Sequence, residues 1–120
     1  MSDLDRAKEL LEEARRERSE VKRYLTLIRE SMIHSFRAGL SRLGIEADHE
    51  NVLRLYLTTP HAYRPSVGEP ELEEFEFRYG LITSDKLGAM RVDDRFLDAI
   101  LDLAERIYFW AESINKKMVS

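Results

Sequence analysis

The sequence predicts an α+β fold in which two long helices enclose a small antiparallel sheet. Three observations support this class. An apolar seam with helical spacing runs through residues 3–43, apolar and polar residues alternate in two segments of residues 51–92, and a broad apolar face covers residues 93–118. The chain has 120 residues, no Cys and a formal net charge of −4. This length predicts one domain, residues 1–120.

The first predicted helix, residues 3–43, has the narrow seam of a coiled coil in its N-terminal half. Its apolar residues recur at alternating steps of three and four, interrupted by Arg18. The last predicted helix is much shorter, so we expect this half to overhang the chain's own core and to pair with another copy. We therefore predict a homodimer. Its predicted interface comprises Leu4, Leu11, Arg18, Val21, Leu25, Tyr108 and Trp110.

Residues 51–92 are predicted to form an antiparallel meander of two to three strands. In Asn51–Thr59 three leucines occupy alternate positions, and in Glu74–Ile82 apolar residues, most of them aromatic, alternate with polar ones. Such alternation is typical of a strand with one solvent-exposed face. A third short strand is predicted at Leu87–Val92.

The connection of residues 59–72 is a candidate recognition loop. It contains all three prolines of the chain and is long for a hairpin connection. Tyr63 and Arg64 are its predicted anchor, since Tyr and Arg are over-represented among residues that carry binding energy. The alternative is a surface loop without a binding role.

The last predicted helix, residues 93–118, is apolar around much of its circumference. A helix of this kind is usually buried on two sides. We expect one side to face the sheet or the first helix, and the other to face a second subunit. Its aromatic group, residues 108–110, is accordingly assigned to the core or to the dimer interface.

Positive charge is concentrated on one flank of the first helix, although the whole chain is acidic. We call the five predicted partner-binding residues of this helix the basic flank. They are Arg15, Arg16, Lys22, Arg23 and Arg29. Three interpretations stay open: a solvated helix face, docking on an acidic protein surface, and binding to nucleic-acid phosphates without reading sequence. The acidic remainder of the chain argues against the third interpretation.

The sequence has no motif for catalysis or cofactor binding. It has no phosphate-binding glycine pattern, no thiol, and no spacing that marks a Ser, His and acid constellation. The exception is a candidate metal site at Glu30, His34 and His49, of which the first two lie one helical turn apart. No apolar run approaches the roughly 18 residues of a membrane span. The acidic N-terminus is unlike a signal peptide, and the lack of cysteine suits the cytoplasm.

These patterns favour a non-catalytic, oligomeric protein-interaction module without a cofactor: an adaptor, inhibitor or assembly subunit that binds another macromolecule. The first alternative is a nucleic-acid-associated dimer that uses the basic flank. The second is a small metal-binding or enzymatic protein built around Glu30, His34 and His49.

Overall fold

The computed structural model describes residues 2–84 and 92–117, and its regular secondary structure is entirely helical. The predicted α+β class is therefore wrong, because the described residues contain no strand. One 3-10 turn, His61–Tyr63, follows the third α-helix. The α-helices are α1 (Asp3–Arg16), α2 (Val21–Arg42), α3 (Val52–Thr58), α4 (Glu69–Thr83) and α5 (Asp94–Lys117).

The predicted helix of residues 3–43 is in fact two helices joined by a tight turn at residues 17–20. The Glu17 N–H donates to the Ala14 carbonyl at 3.1 Å, and the Glu20 N–H donates to the Glu17 carbonyl at 3.0 Å. The chain then reverses, and α1 packs along α2. Each half of the predicted seam thus covers the other, as in an αα-hairpin. The predicted overhanging coiled coil is wrong, since the chain shelters this seam itself.

Helix α2 is the centre of the fold and contacts α1, α3, α4 and α5. Tyr24, Ile28, Met32 and Phe36 are fully buried along it. Burial of each such side chain contributes about 1.5–3 kcal/mol relative to exposure. Residues from all five α-helices of the described ranges join one apolar cluster. Within these ranges no helix combines the length and the apolar character needed to cross a membrane.

The first predicted strand, Asn51–Thr59, is the short helix α3. The Asn51 side chain accepts a hydrogen bond from a backbone N–H of the first turn at 3.0 Å, which caps the helix. Val52 and Leu55 are fully buried three positions apart, whereas Leu57 is 45% exposed. The buried side chains therefore follow helical spacing, and the alternation of leucines does not report the core face.

The second predicted strand, Glu74–Ile82, lies inside helix α4. Leu72, Phe75 and Ile82 are buried, and their spacing places them on one helical face. Phe77 is 65% exposed, although the alternating pattern assigns it to the same face as Phe75. The strand prediction is wrong because it reads this exposed phenylalanine as a core residue.

The third predicted strand, Leu87–Val92, lies outside the described residues except for Val92, which is not in a strand. The C-terminal helix begins at Asp94, within one residue of its predicted start. The Asp93 carboxylate accepts a hydrogen bond from the Phe96 N–H at 2.9 Å at this end. Residue 118, the predicted last residue of the helix, also lies outside the described residues.

Candidate binding groove

An open groove lies between the loop after α3 and the C-terminal half of α5. Its volume is about 620 Å³, within the range of ligand-binding pockets. We call it the aromatic groove. Its lining residues are Ala62, Tyr63, Arg64, Ser66, Arg106, Phe109, Trp110, Ser113 and Ile114. The fold thus joins the predicted loop anchor, Tyr63 and Arg64, to Trp110, which the sequence assigns to an oligomer interface.

The loop wall of the groove is a 3-10 turn that begins after Pro60. The Tyr63 N–H donates to the Pro60 carbonyl at 2.8 Å, and the proline ring fixes φ at the start of the turn. Arg64 follows this turn and is held from two sides. Its Nε donates to the Thr59 carbonyl at 3.0 Å, and its guanidinium lies 4.9 Å from the centre of the Tyr56 ring. The wall therefore keeps its shape through contacts within the loop and with α3.

The helical wall is one face of α5, on which lining residues recur at steps of three and four. These residues are Arg106, Phe109, Trp110, Ser113 and Ile114. Trp110 joins the two walls, because its indole N–H donates to the Tyr63 carbonyl at 2.6 Å. Its ring centre also lies 5.4 Å from that of Phe36 on α2. The indole is thus held on both sides before any ligand arrives.

Gly39 of α2 makes room for the Trp110 ring. A Cβ at position 39 would lie 2.6 Å from Cζ3 of Trp110 and closer still to Cη2. Ordinary contacts between carbon atoms are about 3.5–4.0 Å. Glycine in a helix interior costs about 1 kcal/mol relative to alanine. The chain accepts this cost at a position where a larger residue would displace the indole.

The charged side chains that line the aromatic groove are both arginines, and their environments differ. Arg106 pairs with Glu71 at 3.2 Å and with Asp102 at 3.0 Å. Arg64 has no carboxylate within ion-pair distance among the described residues, and its two hydrogen bonds go to the backbone carbonyls of Thr59 and Leu57. The groove therefore combines an aromatic surface with one arginine, Arg64, that no described carboxylate neutralises.

Three arginines of the basic flank form ion pairs within the chain, and two of these pairs, those of Arg15 and Arg23, are largely exposed. Arg15 pairs with Glu105 on α5 at 3.0 Å, and Arg23 pairs with Glu13 on α1. Pairs of this exposure contribute roughly 0–1 kcal/mol to stability. They nevertheless place negative charge beside each arginine, so the basic flank is not the continuous positive surface that the sequence suggests.

Arg29 has a structural role between α2 and α4. Its Nε lies 2.7 Å from the Glu76 carboxylate, and its guanidinium lies 4.8 Å from the centre of the Tyr79 ring. Burial disfavours the charge, but the hydrogen-bonded pair with Glu76 outweighs burial and raises the pKa of the guanidinium. The two remaining residues of the basic flank, Arg16 and Lys22, are exposed near the turn between α1 and α2.

The residues predicted to form an oligomer interface lie mostly within the chain's own interior. Those that belong to the core or pack against it are Leu4, Leu11, Val21, Leu25, Tyr108 and Trp110. Arg18 lies in the turn after α1 and pairs with Asp98 of α5 at 2.6 Å. The overhang that motivated the dimer is thus absent, and self-association stays a prediction without its original premise.

The three residues of the predicted metal alternative are engaged separately or exposed. His34 Nδ1 lies 2.8 Å from the carboxylate of Asp3, which connects α2 to the first turn of α1. Glu30 and His49 are both exposed. In the part of the chain that the structure describes, no three His, Asp or Glu side chains come together in a way that could hold a metal.

On the helical wall, the sequence pattern assigns Phe109 and Trp110 to the core or to a dimer interface and gives no binding role to Arg106, Ser113 or Ile114. Phe109 does not belong to the core, because it is 57% exposed and lines the groove. The common spacing of these wall residues is visible in the sequence, yet nothing there shows which face of α5 meets the loop. Comparison of the chain with family models, curated proteins and solved structures finds no significant match. The function is therefore inferred from the site.

Proposed function

We propose that the chain is a non-catalytic protein-interaction module and that a segment of a partner protein binds in the aromatic groove. The observation that carries this proposal is the pair of aromatic side chains at the groove, Tyr63 at 54% exposure and Phe109 at 57%. Clustered exposed apolar side chains commonly mark interaction sites. Tyr, Trp and Arg dominate the binding energy of protein interfaces, and all three residue types line this groove.

The fixed position of Trp110 supports a binding role further. Its indole N–H is bonded to the Tyr63 carbonyl, and its ring packs on Phe36 and over Gly39. Immobilising a free side chain on binding costs about 0.5–1.5 kcal/mol. A partner that contacts Trp110 avoids this cost, because folding of the chain has already ordered the ring.

The chemistry of the lining favours binding over catalysis. The described lining residues supply hydroxyl, indole and guanidinium groups, and none of them carries a carboxylate or imidazole to act as a general base. The nucleic-acid alternative has less support, because Arg15, Arg23 and Arg29 pair with carboxylates and the chain carries a net charge of −4. Such a module would act as an adaptor, inhibitor or assembly subunit according to its partner.

Peptide selection on the full chain tests this proposal. A displayed library of random peptides is selected on the wild-type protein, and each enriched peptide is measured against Phe109→Ala and Phe77→Ala. Phe77 is a matched control, since it is a similarly exposed phenylalanine on α4 outside the groove. Neither side chain belongs to the core, so both variants should keep the fold.

We expect the selected peptides to lose at least about ten-fold in affinity on Phe109→Ala, which corresponds to about 1.4 kcal/mol. Their affinity for Phe77→Ala should equal that for the wild type. Peptides that bind Phe109→Ala as well as the wild type would place the interaction elsewhere on the molecule. A selection that enriches no peptide would also contradict the proposal.

A further inference from the structure

Arg64 is a positively charged groove residue that no described carboxylate neutralises. The other groove cation, Arg106, has two carboxylate partners at 3.0–3.2 Å. Arg64 instead donates to the carbonyls of Thr59 at 3.0 Å and Leu57 at 3.3 Å. Its guanidinium therefore lies at the edge of an aromatic surface without a carboxylate partner among the described residues.

The position of the Arg64 guanidinium is already fixed. Two backbone carbonyls hold one side of it, and the Tyr56 ring lies 4.9 Å away. A guanidinium has five N–H donors, and these hydrogen bonds use two of them. The remaining donors suit a carboxylate, which forms short, charge-assisted hydrogen bonds with arginine.

We propose that the segment bound in the aromatic groove carries a carboxylate beside a bulky apolar side chain. The carboxylate pairs with Arg64, and the apolar side chain packs on Phe109 and Trp110. This inference rests on the proposed function, since it names the chemistry of the partner at the same groove. The net charge of −4 repels acidic peptides at long range, so any preference for them must arise from a local cation.

Matched short peptides test the inference on the full, ¹⁵N-labelled chain. The probes are acetyl-Asp-Phe-Leu-amide, acetyl-Leu-Phe-Asp-amide and the two peptides with Asn in place of Asp. The readout is the indole N–H resonance of Trp110, which is the only tryptophan of the chain and lines the groove. At least one Asp peptide should shift this resonance with a Kd about five-fold or more below that of its Asn counterpart.

Charge-removing variants assign the preference to Arg64. Arg64→Gln should equalise the Asp and Asn peptides, whereas Arg16→Gln removes the same charge from an exposed site outside the groove and should preserve the difference. Equal affinity of Asp and Asn peptides for the wild type would overturn the carboxylate inference and leave the groove as a binding site. No shift with any of the four peptides would count against both proposals. If the folded Arg64→Gln variant still binds the Asp peptide more tightly than its Asn counterpart, the role of Arg64 is overturned. If this variant does not fold, the comparison of Asp and Asn peptides on the wild type still tests the carboxylate inference.

Discussion

The substitution Gly39→Ala tests the packing that fixes the aromatic groove. The added methyl group would lie 2.6 Å from Cζ3 of Trp110, roughly 1 Å inside an ordinary carbon contact. The indole must therefore move, and its 2.6 Å hydrogen bond to the Tyr63 carbonyl should be lost or weakened. Gly80→Ala is a matched control, because Gly80 also lies within a helix and a Cβ there meets no atom of the described residues within 4 Å.

The expected size of the effect follows from three contributions. Overpacking at Gly39 costs about 1–3 kcal/mol. Loss of the Trp110 hydrogen bond costs about 1 kcal/mol, and the better helix propensity of alanine returns about the same amount. We therefore expect Gly39→Ala to lower the free energy of unfolding by about 1–3 kcal/mol, whereas Gly80→Ala should raise it by about 0.4–1 kcal/mol.

Urea unfolding monitored by circular dichroism measures both free energies, and Trp110 fluorescence reports the position of the indole. In a Trp110→Phe background the ring atoms nearest to position 39 are removed, so Gly39→Ala should lose most of its destabilising effect. A Gly39→Ala protein that is as much stabilised as Gly80→Ala, with unchanged Trp110 emission, would refute the proposed packing.

Two further predictions concern the core around α2. Arg29→Gln should lower the free energy of unfolding by about 3 kcal/mol, which is the lower end of the range for breaking a buried ion pair. The reason is that the mostly buried Glu76 carboxylate loses its partner. Arg6→Gln, which breaks an exposed pair, should change this free energy by less than about 1 kcal/mol in the same urea experiment, and equal effects would contradict the structural role of Arg29. Burial raises the pKa of the Tyr24 phenol in the folded chain. The contribution of this phenol to the free energy of unfolding is therefore fully present below its unfolded pKa of about 10 and is lost as the pH rises above that value. Tyr24→Phe should flatten this alkaline loss of stability relative to Tyr63→Phe, which removes an exposed phenol, and an unchanged pH dependence would refute the assignment.

The helical content at both ends of the chain can be predicted from sequence, but the break at residues 17–20 cannot. This segment contains neither glycine nor proline, the residues that usually mark a turn. Apart from Arg18, which lies in the turn, the apolar spacing continues from α1 into α2, because the two helices bury their faces against each other. A helical hairpin therefore produces nearly the same sequence pattern as a single long helix.

The middle of the chain shows how alternating residues can mislead. Leu57 and Phe77 complete strand-like patterns, yet both are exposed. A signal for the start of each helix is present, but it consists of a single residue. Asn51 caps α3, and Pro70 lies in the first turn of α4. Since α3 spans only seven residues, its periodicity gives too few positions to outweigh the alternation.

Only part of the candidate site can be predicted from the sequence. Tyr63 and Arg64 lie in a proline-containing loop, and their residue types predict an anchor for a binding partner. The structure places both residues in the groove. That groove needs α5, and Trp110 is 47 positions from Tyr63 in the chain. The partner of Arg15 is even more remote, at 90 positions. Contacts at such separations depend on tertiary packing, which no local pattern encodes.

A chemical-shift map of the ¹⁵N-labelled chain with a library-selected peptide shows which surface of the molecule the peptide contacts. Binding in the aromatic groove should place the largest changes on residues 62–66 and 106–114, with the Trp110 indole among them, and residues 15–29 should change little. The largest changes along residues 15–29, with an unmoved Trp110 resonance, would contradict the assignment of the aromatic groove as the binding surface.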